Sequence, residues 1–208
     1  MILNRIEKFL MNNPVRAAFQ MHLEARRLMA LGGPMGGGRA LEVGCGRGVG
    51  CRIVLDVFGA GQVTGMDLDP DMVRRAGERL AGYGDRVRLY AGDVTDIPEE
   101  DASFDAVFDF GILHHVPDWQ KALSEVFRVL KPGGRFYAEE ALEKFIRFAP
   151  IRWTLDHPME NRFGHRDFIR GMEKAGFRVL DNRPTVGEWF GWYFAEKPGA
   201  GVRGKTER

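Results

Sequence analysis

The chain has 208 residues, 30 Lys plus Arg against 29 Asp plus Glu, and 44% of its residues from the apolar set, a composition that excludes a disordered chain and predicts one globular domain with a sizeable core. A net charge of +1 offers no overall attraction to a polyanion, so nucleic acid is not an expected partner. Cys45 and Cys51 are too few for a disulfide framework and lack the CxxC spacing of a zinc site, so no metal is expected and a reducing cytoplasm is the expected compartment. No apolar run reaches the length of a spanning helix, and Arg5, Glu7 and Lys8 interrupt the N-terminus where a signal peptide needs an unbroken apolar stretch.

In chain order, Ile2, Leu3, Ile6, Phe9 and Leu10 recur at helical spacing, and a second helical pattern runs through Val15, Ala18, Phe19, Leu23 and Leu28. Residues 32 to 38 (GGPMGGG) break the pattern. Ala40 to Val43 then reads as a strand ending in glycines, followed by a helix from about Arg47 to Phe58. Val63 to Met66 is a second strand, and Asp69-Pro70 caps a helix through Met72, Val73, Ala76 and Leu80. Strands follow over Arg86 to Ala91 and Phe104 to Phe110, the latter apolar enough to be buried on both faces. A helix over Trp119 to Leu130 stops at Lys131-Pro132-Gly133-Gly134, and Arg135 to Ala138 is the fifth strand. His165 to Ala175 is a helix closed by Gly176, with strands over Phe177 to Leu180 and Trp189 to Ala195.

Alternating strands and helices of this kind predict an α/β fold with a mainly parallel sheet covered by helices on both faces. The segment from Arg183 to Gly187 is too short for a crossover, so the last strand is expected to be antiparallel. The expected organisation is a helical cap or lid over residues 1–38, a core over 39–197 with a lid-like insertion at about 141–164, and a flexible tail over 198–208.

The chemistry concentrates in Leu41-Glu42-Val43-Gly44-Cys45-Gly46-Arg47-Gly48, where glycines follow a strand and open a helix. Such a loop lets a ligand approach free backbone N–H groups and the positive end of the helix dipole. Asp67, about 20 residues further on at the end of the second strand, is placed to accept hydrogen bonds from ribose hydroxyls, which implies an adenosine-containing ligand. A dinucleotide fingerprint counted from Gly44 would need its third glycine at Val49, which weighs against a nicotinamide oxidoreductase. Asp105 and Asp118 read as turn or capping residues, and Cys51 as helix packing.

The run LEVGCGRG resembles the first motif of the class I S-adenosylmethionine-dependent methyltransferases. Thr64 to Asp69 looks like that family's second motif, Ala91 to Val94 like its third, and Phe104-Asp105 through Leu113-His114-His115-Val116-Pro117-Asp118 like its fourth. Leu130 to Gly134 is similar to the segment leading into its fifth strand, so the resemblance covers roughly residues 39 to 140 with the motifs in order. It implies a seven-stranded Rossmann-like sheet of order 3-2-1-4-5-7-6 with strand 7 antiparallel. It further implies that Glu42, Gly44, Cys45 and Gly46 surround the amino-acid end of S-adenosylmethionine. Asp67 would bind the ribose diol with Leu68 against the adenine, Asp93 would accept from the adenine amino group beside the Val94 backbone, and Phe110 and Gly111 would line the methionine portion.

Methyl transfer from a sulfonium is a displacement on an activated electrophile, and it needs a general base only if the acceptor must lose a proton. His115, and after it His114, are the candidates, at the turn after the fourth strand. The alternative is that one histidine fixes the loop and the other packs. Leu142, Phe145, Ile146, Ala149 and Trp153 recur at helical spacing, and with Phe148, Phe163, Lys144, Arg147, Arg152 and Arg162 they suggest either a lid with an apolar inner face and a basic flank or a helix that packs its apolar face on the sheet. A small, partly hydrophobic acceptor such as a quinone-like ring or a lipid precursor follows, with peripheral contact to an anionic membrane as a further expectation. His157, Asn161, Arg162 and His165 rank low as isolated polar residues. A non-catalytic protein that binds S-adenosylmethionine as a scaffold is the competing reading, and oligomeric state is not legible.

Overall fold

The computed structural model describes residues 20–148 and 161–199. The helical repeats expected before residue 20, the positions Ala149, Trp153 and His157, and the tail from residue 200 lie outside the described residues.

Seven strands form one sheet: β1 (Arg39–Val43), β2 (Gln62–Asp67), β3 (Val87–Ala91), β4 (Phe104–Phe110), β5 (Leu130–Ala141), β6 (Arg178–Pro184) and β7 (Phe190–Glu196). Their order is β3-β2-β1-β4-β5-β7-β6, parallel from β3 to β5, with β7 antiparallel to both neighbours. The short return from β6 is a hairpin whose turn is fixed by Thr185 Oγ1, which accepts from the N–H groups of Trp189 and Phe190.

Helices flank the sheet. They are α1 (Ala25–Gly32, after a π-helical turn over Gln20–Glu24), α2 (Val49–Asp56), α3 (Pro70–Leu80), α4 (Trp119–Val129), α5 (Glu143–Arg147) and α6 (His165–Ala175). The Asp69 carboxylate accepts from Asp71 N at 3.0 Å with Pro70 at the first helical position, and the Asp118 carboxylate accepts from Lys121 N at 3.1 Å. Caps of this kind stabilise by about 1 kcal/mol each, and they fix both helix starts at the site edge of the sheet.

Two apolar layers sandwich the sheet. On one face Phe58, Phe108 and Tyr137 interlock with ring centroids 4.6 to 5.3 Å apart, and α1 closes over them by burying Ala25 and Leu28. The Arg27 guanidinium caps the Trp192 ring at 4.2 Å. On the other face Trp119, Phe163, Phe168 and Tyr193 stack in sequence, joining α4 and α6 to β7.

Three expectations need correction. β5 begins at Leu130, not Arg135: Leu130 pairs with Phe104, Arg135 pairs with Ala106, and Lys131 to Gly134 bulge between them. The helix does stop at that turn, yet Leu130 is fully buried and enters the sheet at once, while Gly133 and Gly134 are tied to Lys197 by backbone hydrogen bonds of 2.7 and 2.8 Å. β5 also runs on to Ala141, because β7 pairs with it along that length. Asp105 is neither turn nor cap; it accepts from Arg39 N at 2.8 Å and Lys131 Nζ at 2.7 Å.

Candidate active site

The carboxyl ends of β1 to β4 bring the sequence-derived residues to one edge. The loop between β1 and α2 has Gly44 at φ +69°, and a Cβ there would overlap the Ile112 side chain. Cys45 N donates to Met66 O at 2.8 Å and Gly46 N donates to Asp67 Oδ2 at 2.8 Å, while Asp67 Oδ1 accepts from Asp69 N at 2.9 Å. Asp67 therefore anchors the glycine loop to β2 as well as standing at its end. Leu68 next to it is 42% exposed, an apolar side chain left open at the rim. Gly92 N donates to Asp67 O at 3.0 Å, placing Asp93 and Val94 at the adjoining strand end. Asp93 Oδ1 accepts from the N–H and hydroxyl of Thr95, both at 2.8 Å, and Val94 is buried.

Glu42 lies beneath this loop, 1% exposed. It hydrogen-bonds Cys51, itself fully buried as a packing residue, and a Cβ at Gly50 would overlap Glu42 Oε1 and approach the Phe110 ring. The other oxygen, Oε2, is buried with no hydrogen-bond partner among the described residues. Burial pushes the carboxyl up to about 8, opposed by the Cys51 hydrogen bond and reinforced by the charges of Asp67 and Asp109. A dry, partnerless carboxylate oxygen under a loop without side chains fits the ammonium end of an amino-acid moiety. The aspartate at the next strand end and the exposed Leu68 fit a nucleoside.

Beyond β4, Gly111 adopts φ +84° and the chain enters a tight turn over Leu113–His115. Asp109 Oδ1 accepts from Gly111 N at 3.0 Å and Ile112 N at 2.9 Å, and burial together with the charge of Glu140 holds its carboxyl well above the usual range. His114 Nδ1 lies 2.5 Å from Glu140 Oε2, and Glu140 Oε1 accepts from Leu113 N at 2.7 Å. Glu140 is fully buried; burial pushes it up to about 7, against the hydrogen bonds from Asp109 and the N–H groups of Leu113, His114 and Ala141. The His114 ring faces Gly111, with Cε1 3.8 Å from where a Cβ would sit, and His115 lies against it at 4.1 Å between centroids. A buried carboxyl group thus orients His114.

Sequence reasoning missed Glu140 altogether. The available signal was Glu139-Glu140 continuing the apolar run of β5: in a strand the two point to opposite faces, and both are buried. Of the polar residues ranked low, Asn161 donates to Pro117 O and Gln120 Oε1, and its carbonyl accepts from Trp119 Nε1. His165 Nδ1 meets the Tyr193 hydroxyl at 3.0 Å. Arg162 is not a solvated loop residue: Nη1 donates to His114 O at 2.7 Å, and its other nitrogens are shielded from water. Phe163, expected on the inner face of a lid, packs instead into the core against Trp119 and Phe168. Phe145 and Phe148 do form an open ledge with Trp189. Of the basic flank, Lys144 pairs with Glu188 and Arg147 with Glu143, each at 2.8 Å, and Arg152 lies outside the described residues. Among the described residues no helix is long and apolar enough to cross a membrane.

Residues 41–138 match the model of a methyltransferase domain. A demethylmenaquinone methyltransferase of Symbiobacterium thermophilum is 34% identical over 83% of this chain and 72% of its own length. A fatty-acid O-methyltransferase of Mycolicibacterium smegmatis is 35% identical over 66% of this chain; the chain spans only 51% of that protein's length. The solved structure of an S-adenosylmethionine-dependent methyltransferase from Aquifex aeolicus superposes with a TM-score of 0.73 at 21% identity, covering 92% of this chain and 97% of the other, a likeness of fold.

Proposed function

The chain belongs to the class I S-adenosylmethionine-dependent methyltransferases, and from that premise we propose that it methylates a small, partly apolar acceptor of quinone-like or lipid-like character. The observation that carries the reading is the buried, partnerless Oε2 of Glu42 beneath a glycine loop anchored by Asp67. The similar proteins, which act by name on demethylmenaquinone and on fatty acids, support an acceptor of that character.

S-adenosylmethionine supplies a methyl group already activated on a sulfonium. In this reading the protein binds, orients and dehydrates. Glu42, Gly44, Cys45 and Gly46 hold the amino-acid end, Asp67 takes the ribose diol with Leu68 against the adenine, and Asp93 with the Val94 backbone reads the adenine edge. Phe110 and Gly111 line the path to the methyl. In this reading His114 is the proton acceptor for a hydroxyl-bearing acceptor, in the tautomer that donates Nδ1–H to the ionised Glu140 and carries its basic lone pair on Nε2. Glu140 is then a positioning residue, and His115 supports the turn.

Calorimetry tests the reading. S-adenosylhomocysteine is expected to bind one to one and NAD not at all. Release of S-adenosylhomocysteine is expected with a hydroquinone or fatty-acid panel; binding with no turnover across such a panel would favour the scaffold alternative. Asp67→Asn turns an acceptor into a donor facing Gly46 N or Asp69 N, so affinity for S-adenosylhomocysteine is expected to fall by about tenfold to a hundredfold, the effect of losing charge-assisted hydrogen bonds worth about 1.5–3 kcal/mol. Unchanged affinity in that variant would overturn the assignment.

A further inference from the structure

We propose that Arg162 binds the acceptor and that it does so by recognising a carboxylate on it. The inference rests on the reading of this site as one for methyl transfer to a small molecule, and it adds the polar group by which that molecule is held.

Arg162 is fixed from two sides. Asn161 before it is locked to the start of α4 through Pro117 and Gln120, and Phe163 O after it accepts from Glu143 N at 3.0 Å. One corner of the guanidinium is spent on the histidine turn, where Nη1 donates to His114 O at 2.7 Å. The opposite edge is Nε and Nη2, whose two N–H bonds run parallel on the same side of the plane; both nitrogens are buried and have no hydrogen-bond partner among the described residues. That edge is the one a carboxylate accepts from with both oxygens at once. Guanidinium does not shed its proton, so the donors persist at every working pH, and two dry, unpaired donors on a cation are a costly arrangement unless a ligand completes them.

The neighbouring charges narrow the ligand. Arg147 is paired with Glu143 and Lys144 with Glu188, so neither is left to share an incoming anion. Glu140 and Glu143 act on Arg162 from nearby, and so does the Arg147 cation that pairs with Glu143. A monoanion is matched by the one guanidinium edge in this setting, whereas the double charge of a phosphate monoester would bring a second negative charge up to the buried Glu140 carboxyl. The exposed Phe148 and Trp189 rings, which pack on each other 5.2 Å apart, offer apolar surface for the body of such an acceptor. The polar end is held one contact away from His114, the residue assigned to the proton.

The test uses the full chain loaded with S-adenosylhomocysteine and titrated with octanoate, 1-octanol and octyl phosphate. Octanoate is expected to bind at least tenfold more tightly than octanol, and octyl phosphate no more tightly than octanoate. Arg162→Gln is expected to bring octanoate down to the affinity of octanol with S-adenosylhomocysteine affinity unchanged. Arg162→Lys keeps the charge and most of the volume, lacks the two-donor edge, and is expected to lose most of the preference even if the glutamine variant does not fold. Equal affinity for acid and alcohol in the wild type, an acid preference surviving in both variants, or tighter binding of octyl phosphate overturns the proposal. Absence of S-adenosylhomocysteine binding in the first titration would instead overturn the methyltransferase reading beneath it.

Discussion

Replacing His114 with alanine is expected to lower turnover of a hydroxyl-bearing acceptor by about a hundredfold to ten-thousandfold, the usual worth of a positioned general base, with little change in affinity for S-adenosylhomocysteine. The reason is the geometry around Glu140. A fully buried carboxyl group whose oxygens also take the N–H groups of Leu113 and His114 lies 2.5 Å from Nδ1, so the imidazole is held in one orientation, and the ionised carboxylate favours the tautomer with the proton on Nδ1. Two further readouts separate a base from a packing residue. Added imidazole should restore part of the activity of His114→Ala, and the deficit should shrink at high pH, where the acceptor loses its own proton. Glu140→Gln can still accept from Nδ1–H but loses the charge that steadies the protonated ring, so kcat should fall with KM nearly unchanged. His115→Ala should lower the melting temperature more than turnover. Loss of activity in His115→Ala with full activity in His114→Ala would reverse the assignment.

Glu42→Gln is expected to make the ligand-free protein more stable at pH 8 and above and little changed at pH 4.5. A carboxyl raised from 4.5 to about 8 holds its proton more tightly in the folded state than in the unfolded one. Its contribution is complete below the unfolded value. It drains away as pH rises, because the unfolded chain ionises first, and it is gone once the folded carboxyl has ionised too. The full shift is worth up to about 5 kcal/mol. Urea melts at several pH values should show the gap between variant and wild type widening between those limits, with the Asp109 charge that acts on Glu42 contributing to the same gap. A gap that stays flat with pH would show that Glu42 is not held protonated. The same group links stability to binding. An incoming ammonium favours the ionised carboxylate, so cofactor binding near neutral pH should release a proton, seen as a binding enthalpy that changes with the buffer's ionisation heat. In Glu42→Gln that dependence should disappear and affinity should weaken.

Much of the frame was legible because it depends on local rules. Asp69 and Asp118 announced their helices as caps, the glycine loop announced a strand-to-helix turn, and the brevity of the link between the last two strands announced an antiparallel one. Asp67 was legible as a candidate because it ends the strand after the glycine loop, and Glu42 because the run LEVGCGRG resembles a known family's first motif. Glu140 and Arg162 were not. Their roles come from contacts across 26 residues to His114 and 48 residues to its carbonyl, which no local pattern encodes. A carboxylate pair at a strand's end and an arginine in a loop are most often solvated, and only the pairing of β5 with β7 and the packing of residues 161–164 against α4 and α5 bury them. β5 was shortened in the reading because its entry is a bulge: proline and glycine mark a break even where the chain rejoins the sheet.

The place of β7 inside the sheet has a cost during biosynthesis. Among the described residues β6 hydrogen-bonds to no strand except β7, and β7 is made after it, so a nascent chain on the ribosome carries β6 and the open side of β5 as two unsatisfied edges until residues 190–196 have emerged. Arrested translation anywhere between Pro184 and Phe190 should therefore yield aggregation-prone fragments that chaperones must hold, while the parallel half from β3 to β4 is already paired.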